Sequence, residues 1–367
     1  MIFEMKTKKN CTRPTILVTG GAGYIGSHTV HALSEQGYNV IVLDTFVHNQ
    51  TVPASFKIKS CFSENFFPKK NIVVLKKDFS DQNILADIFM HYNIAAVMHF
   101  AACIEVGESV KNPRLFYHNN VVKTVRLLES MLTHGVKQFI FSSSCAVYGI
   151  PKKVPITEDH PKNPISPYGK NKLIVEMALE DFAKAYNFRF VSLRYFNAAG
   201  ALPQYGLGEQ HKPETHLIPL LFDAAHQEKP FYIFGNDYPT PDGTCVRDFL
   251  HVQDLATAHI QAVEYLAKGG TSDAFNLGTG NGFSVKEIIE AVKAVSGKSI
   301  KTIVTEKREG DPPALIADPT KAQKKLYWQA RNSGLHAIIA SAHQFYTQSV
   351  LIFNQSTNYA KKQHTKL

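Results

Sequence analysis

From Thr15 onward, short runs of aliphatic and β-branched residues alternate with longer stretches whose apolar positions recur at helical spacing. Thr15-Ile16-Leu17-Val18-Thr19 is such a run. The glycines after it open a helix that extends through about Gln36, with Gly37 as its stop signal. Val40-Ile41-Val42-Leu43 predicts the next strand, ending at Asp44, and further strands are predicted at Ile72–Leu75, Ala95–Phe100, Gln138–Ser142 and Arg189–Leu193. Strands that are apolar at consecutive positions are buried on both faces, and their alternation with helices gives a parallel sheet covered on both sides. The fold class is therefore α/β, a doubly wound parallel sheet. Thr45–Lys70 has weak periodicity and reads as a loop or short excursion.

After Asn197 the pattern changes. Gly, Pro and His become frequent up to Pro219, and the predicted elements become shorter and less regular. This part is expected to form a smaller unit over the carboxyl ends of the strands, where open α/β sheets bind ligands. Ala274-Phe275-Asn276-Leu277 predicts a strand that returns to the main sheet. The stretch after Tyr346 carries no clear signal, and no internal repeat or low-complexity block is present.

Composition changes this picture little. At 367 residues, 44% hydrophobic and 19% charged, the chain has room for one large α/β domain and a smaller one. No apolar run reaches the roughly 20 residues of a membrane span, and Met1–Pro14 lacks the apolar stretch of a signal peptide. The net charge of +9 is concentrated at the ends, with Lys6, Lys8, Lys9 and Arg13 at one and Lys361, Lys362 and Lys366 at the other. That distribution argues against a nucleic-acid partner. Cys11, Cys61, Cys103, Cys145 and Cys245 are odd in number and lack C-x-x-C spacing. They argue against a disulfide framework or a metal site and for a reducing, cytoplasmic setting.

Two motifs carry chemistry. Gly20-x-x-Gly23-Tyr24-Ile25-Gly26 follows a strand and opens a helix. Without Cβ atoms at such a turn, backbone amides and the helix N-terminus reach a pyrophosphate, so the motif implies a bound dinucleotide. Asp44, 18 residues past Gly26 at the end of the second strand, accepts hydrogen bonds from an adenosine ribose and repels a 2′-phosphate. It favours NAD over NADP; otherwise it is a strand-end turn residue. Tyr168 and Lys172, at i and i+4, share one helix face. A neighbouring ammonium together with an oxidised nicotinamide would lower the tyrosine from its ordinary pKa of about 10, letting it exchange a proton with an alcohol or ketone. Ser144, just past the strand Gln138–Ser142, would bond the same substrate oxygen. Without that chemistry, the pair would be a surface contact and the serine a strand-end turn residue.

Together these residues resemble the extended short-chain dehydrogenase/reductase family, and within it the NAD-dependent epimerases, from about Thr15 to Trp328. The likeness also rests on His99-Phe100-Ala101-Ala102, Val106-Gly107-Glu108-Ser109, Asn119-Asn120-Val121, Leu193-Arg194-Tyr195-Phe196-Asn197, Phe234–Asp254 and Arg308-Glu309-Gly310-Asp311. It implies a Rossmann-type NAD-binding domain over 15–197, with later strands returning at about 230–280. A mainly UDP-sugar-binding α/β domain would span 198–346, between tails at 1–14 and 347–367. It implies interconversion of UDP-galactose and UDP-glucose through a 4-keto intermediate, with tightly held NAD and no external redox partner. Tyr168, Lys172 and Ser144 would be catalytic, with Tyr168 and Lys172 also touching the cofactor and Ser144 and Tyr168 the substrate; Asp78, Phe79, Phe100, Ala101, Asn119 and Phe196 would join the glycine turn and Asp44 around the cofactor. Asn197, His216, Leu217, Phe234, Arg247, Arg308, Asp311 and Leu315 would hold the UDP-sugar. It also implies a homodimer formed by the helices around Arg114–His134 and Tyr168–Tyr186.

The sequence departs from the family at several points. Ile104 replaces a lysine beside the cofactor, Thr215-His216 a frequent Asn-Asn pair, and Phe249 a common tyrosine. Leu315 stands where a large tyrosine restricts the sugar's C2 substituent, so UDP-N-acetylhexosamines are a further expected substrate. A dehydratase needs an Asp-Glu pair after the catalytic serine, where this chain has Cys145-Ala146. A plain dehydrogenase would use the same trio. A non-catalytic NAD-sensing protein would share the fold but tends to lose the Tyr/Lys pair, which this chain keeps.

Overall fold

The computed structural model describes residues 14–47, 71–211, 213–308 and 310–364; Met1–Arg13 and most of Thr45–Lys70 lie outside them. Its first part runs β1 (Thr15–Thr19), α1 (Tyr24–Glu35), β2 (Asn39–Asp44), β3 (Ile72–Lys76), α2 (Gln82–His91) and β4 (Ile94–His99). There follow α3 (Val106–Lys111), α4 (Pro113–Phe116), a π-helical segment (Tyr117–Val122), α5 (Lys123–Thr133), β5 (Gln138–Ser144), α6 (Pro167–Tyr186) and β6 (Arg189–Tyr195). The second part runs β7 (Asn197–Ala199), α7 (Leu217–Gln227), β8 (Phe231–Phe234), β9 (Val246–Arg247), β10 (Phe249–His251), α8 (Val252–Ala267) and β11 (Asp273–Leu277). It ends with β12 (Phe283–Ser284), α9 (Val285–Ser296), β13 (Thr302–Thr305), β14 (Ala314–Leu315), α10 (Thr320–Leu326) and α11 (Leu335–His364).

Seven strands form one parallel sheet in the order β11-β6-β5-β4-β1-β2-β3. The pleat sorts the residues of β1 between two cores. Ile16 and Val18 join Val30 and Leu33 of α1 and Leu255 and Val263 of α8. Leu17 points the other way, to Leu85, Leu127, Leu128, Val175 and Leu179 of α2, α5 and α6. All three strand residues are fully buried, each contributing about 1.5–3 kcal/mol. The chain order reverses between β1 and β4, which opens a crevice beyond their carboxyl ends.

Among the strands of residues 230–280, only β11 enters this sheet, beside β6. The strand expected at Ala274–Leu277 is the one that returns; the others expected within about 230–280 do not, since β8 pairs β13, β9 lies between β12 and β14, and β10 pairs β7. These strands have two to four residues and are set by long-range partners, so local pattern does not place them. A third core of Leu221, Phe222, Ile288, Ile289, Ile338 and Ile339 binds α7, α9 and α11. Residues 347–364, read as a tail, continue α11, which propagates from its packed first turns. No helix among the described residues is long and apolar enough to cross a membrane.

Candidate active site

A cleft of about 1670 Å³ runs from the β1–α1 turn to β14. Pockets for one drug-sized ligand are typically about 300–1,000 Å³, so this one has room for two. Every residue singled out for cofactor, catalysis or substrate lines it.

At one end, Gly20 has φ +70°, and a Cβ there would lie 2.5 Å from the Ala101 nitrogen. A Cβ on Gly26 would lie 2.2 Å from the Gly20 carbonyl oxygen. Gly23 is the N-cap of α1 and places no side chain over its first amides. This bare helix end, with Tyr24 and Ile25 behind it, fits a pyrophosphate. The Tyr24 hydroxyl donates to the Gly200 carbonyl at 2.6 Å, tying the turn to the second part of the chain. Asp44 accepts from the amides of Ala22 (3.0 Å) and Phe46 (2.8 Å), which aims its carboxylate along the turn.

Asp78 is partly buried, which raises its carboxyl, but the Lys123 ammonium and the Ser80 amide and hydroxyl outweigh this and hold it below the usual range. Phe79 packs edge-on against His99, 5.0 Å between centroids, and Phe100 packs against His259 at 4.5 Å. Ala101 follows Phe100 under the glycine turn. Asn119, on the π-helical segment, donates to Asn120 at 3.1 Å, and Asn120 bonds the Cys103 amide and carbonyl. Ile104 also lines the cleft, so the family's lysine contact is absent there.

Below this wall, His99 has a defined tautomer. Thr124 donates its hydroxyl proton to the Asn120 carbonyl, so it accepts from His99 Nε2–H at 3.0 Å, and His99 Nδ1 accepts from Thr19 at 2.7 Å. Burial, with Lys172 nearby, pushes the imidazole down to about 3, and it stays neutral.

Ser144 ends β5, while Tyr168 and Lys172 occupy the first turns of α6, capped by Ser166 through the Gly169 amide. Lys172 Nζ donates to the Ser142 carbonyl at 2.7 Å and stands 5.7 Å from the Tyr168 ring centroid. The Ser144 hydroxyl faces the Tyr168 phenol and lowers its pKa, but burial outweighs it and pushes the phenol up to about 12. Burial brings Lys172 down to about 7, against the opposing pull of Glu176. The expected lowering rests on the lysine together with a positive nicotinamide; among the protein groups alone, burial governs both the phenol and the lysine.

At the other end, the Arg247 guanidinium donates to the Pro312 carbonyl at 2.9 Å and pairs with Asp311. Arg308 stacks over the Phe234 ring at 3.8 Å. Sequence reasoning named these four residues separately; the structure joins them as two pairs. Asn197 takes part in the β7–β10 pairing, and Leu217 begins α7. Leu315 and Phe196 pack against Cys145, Val147 and Tyr148. Phe249 is buried at the cleft wall. His216, expected to contact sugar or phosphate, lines the cleft and turns Nδ1 to Glu209 (3.0 Å) and Glu214 (3.1 Å). Burial alone would lower its pKa, and the two carboxylates raise it above the ordinary value.

Sequence reasoning missed the support beneath the trio. Ser143, Glu176, Arg194, Tyr148 and Asn276 form one buried chain of hydrogen bonds. Its one local signal is Glu176, a single turn beyond Lys172.

Residues 16–278 match the model of the "NAD dependent epimerase/dehydratase family". The chain is 46% identical to the UDP-glucose 4-epimerase of Rhizobium meliloti over 91% of this chain and 97% of that protein. The crystal structure of UDP-glucose 4-epimerase from Brucella ovis, in complex with NAD, superposes with a TM-score of 0.83 at 44% identity, covering 90% of this chain and 98% of that one. The UDP-Glc/GlcNAc 4-epimerase of Campylobacter jejuni gives 0.77 at 40% identity, covering 91% and 99%. With nearly the full length of such relatives matched and a cleft built from the predicted residues, the chain belongs to the NAD dependent epimerase/dehydratase family.

Proposed function

We propose that the chain interconverts UDP-galactose and UDP-glucose through a 4-keto intermediate, as an isomerase with NAD held in the cleft. The observation that carries this reading is the continuity of the cleft: Tyr168 and Ser144 lie between the glycine turn and the Arg247 and Arg308 rim. The glycine cradle and Asp44 fit NAD because a side chain at Gly20 or Gly26 would collide with backbone. NAD, when bound, supplies a reversible hydride acceptor beside the sugar's C4 and a positive charge near the phenol.

In this division of labour, residues 15–197 hold the cofactor and 198–346 the UDP-sugar. Tyr168 takes the proton from the sugar O4 and returns it to the keto oxygen, and Ser144 donates a hydrogen bond to that oxygen. Lys172 steadies the phenolate. Arg247 and Arg308 clamp the diphosphate through charge-assisted bonds while the hexose turns between its two faces. Phe234 and Leu217 cover the uracil, and Asp311 and Asn197 complete the anchor. Cys145 supports this reading over a dehydratase: burial pushes its thiol up to about 12, so it is no acid for expelling water.

N-acetylated UDP-hexoses are included as substrates, because Leu315 leaves more room than a tyrosine and the Campylobacter jejuni relative is a UDP-Glc/GlcNAc 4-epimerase. A homodimer is supported by the exposed Leu115, Val122, Ile174 and Met177 on α4, the π-helical segment and α6. A cytoplasmic setting is supported by Cys103, Cys145 and Cys245 as free thiols.

Incubation of purified protein with UDP-galactose, without added NAD, is expected to give UDP-glucose by proton NMR. No conversion, with or without added NAD, overturns the proposal. Light scattering at micromolar concentration reads the dimer.

A further inference from the structure

Glu209, His211, Glu214 and His216 lie on the loop between β7 and α7, and Glu209, His211 and His216 line the wall of the cleft. Their ligand atoms all lie within 4.8 Å of one another. His216 Nδ1 is 3.0 Å from Glu209 Oε1 and 3.1 Å from Glu214 Oε1; His211 Nδ1 is 3.4 Å from Glu209 Oε1 and 3.9 Å from Glu214 Oε2. Each imidazole nitrogen thus faces both carboxylates. Metal–ligand bonds of about 2.0–2.2 Å give a tetrahedron with edges of about 3.3–3.6 Å, and these four separations bracket that length.

Two further facts point to a cation. His211 Nδ1 is buried and has no hydrogen-bond partner among the described residues, although two carboxylates face it. Either a proton on that nitrogen or a metal ion held between the groups would satisfy the two carboxylates facing it. Glu209 and Glu214 are only 11% and 13% exposed, and Glu214 Oε1 is fixed by the amides of Thr215 (2.8 Å) and His216 (2.9 Å). Outer hydrogen bonds of this kind orient a metal-ligating carboxylate.

We infer that Glu209, His211, Glu214 and His216 form a structural site for a divalent transition-metal ion of the zinc class. A donor set of two imidazole nitrogens and two carboxylates suits zinc or cobalt, not the six or more oxygens that calcium and magnesium require. Four protein ligands make the site closed, so the ion fastens the β7–α7 loop and takes no part in the chemistry at Tyr168. The cysteine spacing that argued against a metal site is irrelevant to it; the signal is Glu-x-His-x-x-Glu-x-His. The inference does not depend on the sugar substrate.

The test uses the full chain without a polyhistidine tag. After treatment with dipicolinate, the protein is titrated with cobalt(II) and then zinc(II), read by visible absorption and elemental analysis. One equivalent of cobalt with intense tetrahedral d–d bands, displaced by zinc, is expected. His211→Ala and Glu209→Gln are each expected to weaken binding at least about tenfold while far-UV circular dichroism is retained. If either variant fails to fold, the wild type decides alone: dipicolinate should remove one equivalent and lower the Tm, and zinc should restore it. Less than about 0.1 equivalent bound by the wild type, or full binding by both variants, overturns the inference.

Discussion

Glu176 and Arg194 meet as a fork, with Nε to Oε1 at 2.9 Å and Nη2 to Oε2 at 2.7 Å, both side chains at most 3% exposed. Glu176 belongs to the helix that carries Tyr168 and Lys172, and it also accepts from Ser143 at 2.6 Å, next to Ser144. The pair therefore fixes the proton-transfer helix against the strand that carries the serine. Glu176→Gln leaves a buried guanidinium uncompensated, and a loss of about 3–5 kcal/mol is expected by urea denaturation. Arg194→Met combined with Glu176→Gln should recover part of that loss. Glu176 also holds the Lys172 pKa up, so in Glu176→Gln the fall in kcat on the alkaline side should move to lower pH.

Tyr168→Phe removes the proton carrier and keeps the ring. A fall in kcat of about 10²–10⁴ is expected, with NAD content, read by absorbance after denaturation, unchanged. Ser144→Ala should cost about 10²–10³ if its hydrogen bond strengthens at the reacting oxygen. Loss of NAD in either variant would show that the fall in kcat arises from lost cofactor and not from the missing proton transfer alone.

The site was legible where its signals are local. The glycine turn and the Tyr168/Lys172 spacing are fixed by one strand–turn–helix and one helix face, and both appear in the sequence directly. β5 runs two residues past its predicted end because Ser143 and Ser144 pair with Arg194 and Tyr195 of β6, a long-range register that overrides their polarity. The pairing of Arg247 with Asp311 joins residues 64 apart, and no local period announces it. The π-helical turn that presents Asn119 had no sequence signal either.

Buried histidines predict acid sensitivity. His28 and His259 are pushed down to about 4 and His99 to about 3, in each case chiefly by burial. Their pKa in the unfolded chain is about 6.5, so the unfolded state binds more protons between the two values, and stability rises with pH across that window. It should therefore be fully present above pH 6.5 and fall as pH drops toward 4, by about 1.4 kcal/mol per unit for each histidine. Tm measured between pH 7 and 4 should show the decline, and His259→Phe should make it shallower.

Leu315 sits on β14 beside Phe196 at the cleft. Leu315→Tyr should lower kcat/KM for UDP-N-acetylglucosamine at least about tenfold, a loss of roughly 1.4 kcal/mol, with UDP-glucose turnover nearly unchanged. Equal effects on both sugars would move the C2 discrimination elsewhere.

The seventh strand reaches the sheet late. Roughly 80 residues separate the end of β6 from β11, which takes about 4–16 s to translate at ordinary ribosome speeds. Throughout that interval β6 presents an unpaired backbone edge, and until α8 is made the face of Ile16 and Val18 lacks Leu255 and Val263. A ribosome pausing within the second part of the message would prolong that exposure, making translation tempo a determinant of how much of this chain is recovered as folded protein instead of aggregate.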